Sequence, residues 1–190
     1  MAVAVRGRVR TRANALSALR LGAAAPLAWA VAAGHAQLAA LLYALAVATD
    51  LLDGRVARRF REASAFGGLL DHGADALTVV CGLGALAWRG AVPALLPAVV
   101  ALAFLQYALD SGALAGRRLR ASALGRANGI AYFILLGLPL ARDALGLAAP
   151  GAGIVRALAW TLVATTLVSS ADRALAFARA RRCAADAGAG

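Results

Sequence analysis

Four aspartates, Asp50, Asp53, Asp71 and Asp75, stand in one stretch of an otherwise apolar chain. The stretch reads DLLDGRVARRFREASAFGGLLDHGAD. On helices, the i,i+3 spacing of the first pair and the i,i+4 spacing of the second put each pair on one face. A carboxylate in a membrane segment is costly and marks a functional site by default. Four of them converging on one point indicate a divalent-cation site able to hold a phosphorylated substrate. Mg²⁺ and Mn²⁺ favour oxygen ligands, typically carboxylates together with substrate phosphates. Two carboxylates from each of two adjacent helices could hold two such ions, roughly 3.5–4 Å apart as in two-metal sites. The ions would neutralise a diphosphate and stabilise charge that develops during displacement at phosphorus.

The residues between the pairs suit the same chemistry. Gly54 and Ala57 share the face of Asp50 and Asp53, and side chains that small leave room for a substrate against the helix. Arg58, one turn beyond Gly54, is placed to pair with phosphate oxygens. Gly67 opens the next helix, where backbone N–H groups favour anions. Ser64 is a further candidate ligand contact. His72 is expected to point away from the Asp71/Asp75 face, and Glu62 and Arg59 belong to a solvated loop. A lone aspartate at a helix end is ordinarily a cap or an ion-pair partner. That explanation does not account for four at one depth.

Helices must bring these residues together, and composition says where those helices lie. The chain has 190 residues and is 62% hydrophobic and only 15% charged, with a mean hydropathy of +0.75. Soluble domains are nearer 45–50% apolar. The apolar residues come in runs of about 17–25 residues, the length of a membrane span. Six helices are predicted: Asn14 to Ala33, Leu38 to Leu52 with an extension to Arg58, Gly67 to Trp88, Val92 to Asp110, Gly125 to Ala141, and Ile154 to Ala171 with a basic extension. The fold class is therefore all-α, a polytopic membrane protein forming one domain over residues 1–190. Residues 1–13 form a basic N-terminus and residues 173–190 a tail. The first apolar run is long for a signal peptide and contains Arg20 and Pro26, so it is read as a retained helix.

All 20 basic residues are arginine, and the formal net charge is +11. Sixteen of them, in the clusters Arg6–Arg12, Arg55–Arg61, Arg117–Arg126 and Arg173–Arg182, fall at one set of helix ends. Only Arg89, Arg142 and Arg156 fall at the other, and Arg20 lies inside the first run. The positive-inside rule then places both termini in the cytoplasm. Asp50 and Asp53 end an inward helix, and Asp71 and Asp75 begin an outward one. Both pairs thus reach the same cytoplasmic boundary, and this agrees with the carboxylate spacing, which is a separate feature. Basic clusters beside membrane spans set topology and contact anionic lipid, which argues against nucleic acid as a partner. Cys81 and Cys183 are too few and too far apart for a disulfide framework or a zinc site.

Together these residues resemble the CDP-alcohol phosphatidyltransferase family. The fixed positions of its signature are filled by Asp50, Asp53, Gly54, Ala57, Arg58, Gly67, Asp71 and Asp75, with the gaps intact. Two segments outside that core are similar to further family patterns. NALSALRLGAAAP, from Asn14 to Pro26, looks like the start of the family's first helix with Ser17 in place of Thr. SALGRAN, from Ser122 to Asn128, looks like its Ser-x-x-Gly-Lys-x-Asn segment with Arg126 in place of Lys.

The resemblance implies a six-helix membrane enzyme, usually a homodimer, with its site facing the cytoplasm. It implies transfer of a phosphatidyl or related group from a CDP-linked donor, such as CDP-diacylglycerol, to an alcohol, with release of CMP. Asp50, Asp53 and Asp71 would bind metal, and Asp75 would complete the metal site and act as general base. Gly54, Ala57, Arg58 and Gly67 would line the CDP pocket.

The acceptor is left open between glycerol 3-phosphate, inositol phosphate, serine and choline. Arg117, Arg118, Arg120 and Arg126 cluster where an acceptor phosphate could bind, with Arg126 favoured because it falls in the family-like segment. Arg20 is assigned to binding substrate or supporting the site. Gln106 and Asp110 either face the pocket or bond between helices. Many phosphatidylglycerophosphate synthases carry Pro-Val-Ala-Asp where this chain has His72-Gly73-Ala74-Asp75. An aspartate-dependent cation transporter would place its carboxylates near the midplane between broken helices. A silent scaffold would not need the aspartate spacing at all.

Overall fold

A computed structural model describes residues 12–60, 65–110 and 123–187. Its described residues form six α-helices: α1 Arg12–Ala32, α2 Ala36–Phe60, α3 Ala65–Trp88, α4 Leu95–Asp110, α5 Ala123–Leu145 and α6 Ala152–Ala187. The predicted helices all appear, with two informative shifts. Helix α4 begins at Leu95 rather than Val92, because a residue before proline, here Val92 before Pro93, is pushed out of the helical region. Helix α5 runs past Ala141 to Leu145, carrying Arg142 and Asp143 in its last turns.

Four helices are long and apolar enough to cross a membrane: Asn14–Ala32, Gly67–Trp88, Ala123–Leu145 and Ala152–Ala176. The apolar parts of the other two, Ala36–Leu52 and Leu95–Leu109, are shorter. In α2 the run is cut by Asp50, Asp53 and the arginines that follow.

The main packing pairs are α1 with α2 and α3, α2 with α5, α5 with α6, α6 with α4, and α4 with α3. These pairs close a ring, and a contact between α3 and α5 crosses it. Leu27, Val79, Leu83, Leu96, Leu136 and Val155 are among the side chains at its core. The outer surface is apolar as well: Leu19, Leu102, Ile130, Ile134 and Val168 are all more than half exposed. Asn14, Ser17, Arg20, Thr78, Asn128 and Thr166 are instead buried. Polar groups inside and aliphatic groups outside suit hydrocarbon as solvent, where nothing outside could satisfy them.

Helix-to-helix hydrogen bonds use some of these interior groups. Tyr43 Oη donates to the Phe133 carbonyl at 2.6 Å, tying α2 to α5. Gln106 Nε2 donates to the Ser170 carbonyl at 2.9 Å, tying α4 to α6. Tyr132 and Thr166 share a hydroxyl–hydroxyl bond of 2.5 Å between α5 and α6.

The tight turns lie at one end of the ring. Gly34 (φ 78°) and Gly90 (φ 71°) take up left-handed backbone after α1 and α3. There His35 N–H reaches the Ala30 carbonyl and Ala91 N–H the Leu86 carbonyl, both at 2.9 Å. This is the glycine-ended helix stop that lets the chain reverse within a few residues. The arginines at this end are engaged locally. Arg142 pairs with Asp143 at 2.6 Å, Arg156 donates to the Gly90 carbonyl at 3.0 Å, and Arg89 reaches Asp143 at 3.9 Å.

Candidate functional site

At the opposite end α2 finishes and α3 begins, so their acidic side chains meet. Carboxylate oxygens of Asp50, Asp71 and Asp75 lie within 4.8 Å of one another. Asp71 and Asp75 are one helical turn apart on α3, and Asp50 comes from α2. The predicted convergence therefore holds for three of the four. Asp53, Gly54, Ala57 and Arg58 lie on α2, but the surroundings of these residues fall outside what is described, as does the side chain of Asp110. Ser64, Arg117, Arg118 and Arg120 lie outside the described residues altogether. Gly67 sits in the first turn of α3, which begins two residues earlier than predicted.

Arg20 of α1 fills the middle of this cluster. Its Nη1 lies 3.0 Å from Asp71 Oδ1 and 3.2 Å from Asp50 Oδ1, and it also bonds Asp75 Oδ1. The arginine side chain has no exposed surface, while Asp50 and Asp71 are each 38% exposed and Asp75 23%. Asn14, Ser17 and Arg20 recur at three-residue spacing along α1 and are all buried.

A cavity of about 700 Å³ adjoins the carboxylates. Asp50 and Asp75 form part of its wall, and Arg126, Asn128, His72 and Arg173 contribute further polar groups. Gly125 and Gly129 keep the α5 wall low. Asn128 is buried beside Tyr132, and His72 Nε2 is buried with no hydrogen-bond partner among the described residues. His72 also borders this cavity, on the side of α3 that faces α4. Its ring packs on Phe104 at 4.9 Å and on Tyr107 at 4.6 Å, and helix α4 turns it along the cavity wall. The Arg173 guanidinium lies 4.7 Å from the Tyr107 ring centroid, a cation–π placement. Gln106 both lines the cavity and bonds α4 to α6.

Arg126, favoured in the sequence, reaches the cavity; Arg173 was grouped there with the topology charges. A signal for Arg173 was present. Thr166, Ser169, Ser170 and Arg173 all line the cavity, and their i,i+3,i+4,i+7 spacing marks one helical face.

The donor set can be tested for metal from what it already holds. Three hard, anionic oxygens surround a cation, the Arg20 guanidinium, and oxygen ligands of this kind are those Mg²⁺ and Mn²⁺ take. The residues therefore fit a divalent cation.

Comparisons with known proteins bear on this arrangement. The sequence pattern of the CDP-alcohol phosphatidyltransferase family matches residues 10–170. A cardiolipin synthase (CMP-forming) of Streptomyces coelicolor is 38% identical over 92 residues, which cover 45% of this chain and 43% of that protein. The match thus spans less than half the length of that relative. No solved structure matches the chain.

Proposed function

The chain belongs to the CDP-alcohol phosphatidyltransferase family, and from that premise we propose that it transfers a phosphatidyl group from CDP-diacylglycerol to an alcohol, releasing CMP. It does so as an integral membrane enzyme of a single domain, with six spans, both termini in the cytoplasm and the site at the cytoplasmic face of the inner membrane. The family reading also carries a homodimer.

Asp50, Asp53, Asp71 and Asp75 would hold two divalent ions, Mg²⁺ or Mn²⁺. When bound, the ions supply charge neutralisation for the donor diphosphate and for the departing CMP. Gly54, Ala57, Arg58 and Gly67 would bind the donor nucleotide, with Ser64 as a further ligand contact and Arg118 as a contact for an acceptor phosphate. Asp75 is the least exposed of the three described carboxylates and also borders the cavity. It accepts the proton of the acceptor hydroxyl as that oxygen attacks the phosphatidyl phosphorus. The bond from this phosphorus to the bridging diphosphate oxygen breaks, and CMP leaves with the electron pair. Transfer is direct and uses no covalent enzyme intermediate.

The cavity supports an acceptor that carries a phosphate. Arg126 and Arg173 supply cations for it, and the buried amide of Asn128 borders the same space. Glycerol 3-phosphate and the headgroup of phosphatidylglycerol share that chemistry, a glycerol hydroxyl beside a phosphate. The name of the Streptomyces relative makes the second worth equal weight.

The observation that carries the proposal is the meeting of three carboxylates from two helices beside this cavity. The test is purified protein supplied with labelled CDP-diacylglycerol and a panel of alcohols: glycerol 3-phosphate, phosphatidylglycerol, serine, inositol, inositol phosphate and choline. Product mass identifies the acceptor. Metal-dependent CMP release with a glyceryl phosphate acceptor is expected, and its absence with every acceptor refutes the activity.

A further inference from the structure

Arg20 is buried among three carboxylates at the site. One nitrogen, Nη1, is shared by Oδ1 atoms from Asp50, Asp71 and Asp75. Those oxygens come from α2 and α3, while the guanidinium comes from α1. Its side chain is fully buried, so water does little to screen the attraction. A divalent ion bound by the same oxygens would sit about 2.0–2.1 Å from each for Mg²⁺. A guanidinium nitrogen bonded to the same atoms takes up that point in space. The two cations also repel each other at short range.

We infer that Arg20 is a built-in competitor for the metal position, a guanidinium that keeps Asp50, Asp71 and Asp75 together until a divalent cation displaces it. The inference rests on the proposal that these carboxylates hold metal. Without a cation of either kind, three carboxylates within 4.8 Å would repel one another and loosen α1, α2 and α3 at this end. The metal-free protein therefore draws stability from Arg20, and the metal meets a site already gathered. The consequence is a weaker apparent metal affinity, because binding is reduced by the fraction of molecules in which the carboxylates are vacated. If that fraction is about one in ten, removing the guanidinium tightens metal binding about tenfold.

A residue that merely packs the site would make the opposite prediction, since its loss would loosen the ligands and weaken binding. The experiment uses the full chain in nanodiscs, without donor or acceptor. Free Mn²⁺ is titrated by electron paramagnetic resonance against wild type and Arg20→Met. The expected result is about tenfold tighter Mn²⁺ binding in the variant, with a lower melting temperature in chelator and a larger gain on adding Mn²⁺. Equal or weaker Mn²⁺ binding by Arg20→Met overturns the inference.

A second measurement avoids any folding defect in that variant. Wild-type protein labelled at arginine ¹⁵Nε is titrated with Mg²⁺, and the Arg20 signal is assigned by its loss in Arg20→Lys. The signal should move as Mg²⁺ binds; a signal unmoved at saturation overturns the inference. Absence of metal binding in every form overturns both the inference and the metal reading. Metal binding without CMP formation removes only the proposed transfer.

Discussion

Gly137→Ala tests how α2 is held against α5, and hence how Asp50 is held at the site. A Cβ at Gly137 would lie 2.7 Å from Tyr43 Cε1 and 2.9 Å from Tyr43 Oη. The ring cannot swing away freely, because Tyr43 Oη donates to the Phe133 carbonyl at 2.6 Å. Either the helices separate or that bond breaks. Overpacking of this kind costs about 1–3 kcal/mol, and a lost hydrogen bond about 0.5–1.5 kcal/mol. The better helix propensity of alanine returns up to about 1 kcal/mol. The net expectation is a loss of about 1–3 kcal/mol, a fall of several degrees in melting temperature. Gly84→Ala is the matched control, since a Cβ there meets nothing within 4 Å. It should leave stability unchanged or raise it slightly. Asp50 lies two turns along α2 from Tyr43, so Mn²⁺ affinity should fall in Gly137→Ala and hold in Gly84→Ala. Tryptophan fluorescence followed on heating in nanodiscs measures the first effect, and Mn²⁺ titration the second. Equal melting temperatures for the two variants would refute the packing argument.

Further outcomes follow from the site. Asp75→Asn should lower the rate of CMP release by about 10²–10⁴-fold at saturating substrates, as loss of a general base does; a rate within threefold of wild type would remove that role. Arg126→Gln and Arg173→Gln should each raise KM for a phosphate-bearing acceptor while leaving KM for the CDP-linked donor near wild type. Asn128→Leu should raise acceptor KM on the order of tenfold, the cost of losing one hydrogen bond donated in a buried site. Chelation of divalent cations should abolish CMP release, and added Mg²⁺ or Mn²⁺ should restore it; activity that survives exhaustive chelation contradicts the metal reading.

Much of this site could be read from the sequence because two independent signals converged. Carboxylate spacing placed the aspartates on helix faces, and arginine bias placed those faces at one depth. Both depend on local periodicity, which survives folding. The partners of Arg20 were less accessible, since they lie 30 or more positions away on α2 and α3. A charge inside an apolar run shows that a partner is needed, but not which one. That His72 borders the same cavity as Asp75 was hidden for a related reason. A helical wheel of α3 separates it from Asp75, and only the position of α4 turns both toward one cavity. Arg173 was counted with the topology charges, although the Thr166–Ser169–Ser170 face leading to it was visible in the chain. The start of α4 at Leu95 was also legible, had the restriction that Pro93 places on Val92 been applied.

The central claim is that an acceptor hydroxyl displaces CMP directly from a CDP-linked lipid at carboxylates shared by α2 and α3. The most direct measurement supplies an acceptor with ¹⁸O in its glycerol hydroxyls to the reconstituted protein with CDP-diacylglycerol and Mg²⁺. The account predicts one CMP per phosphodiester formed, with the label kept in the new P–O–C bridge and absent from CMP. Phosphatidic acid formed with solvent oxygen, or a labelled acceptor left unconsumed while the donor disappears, would contradict it.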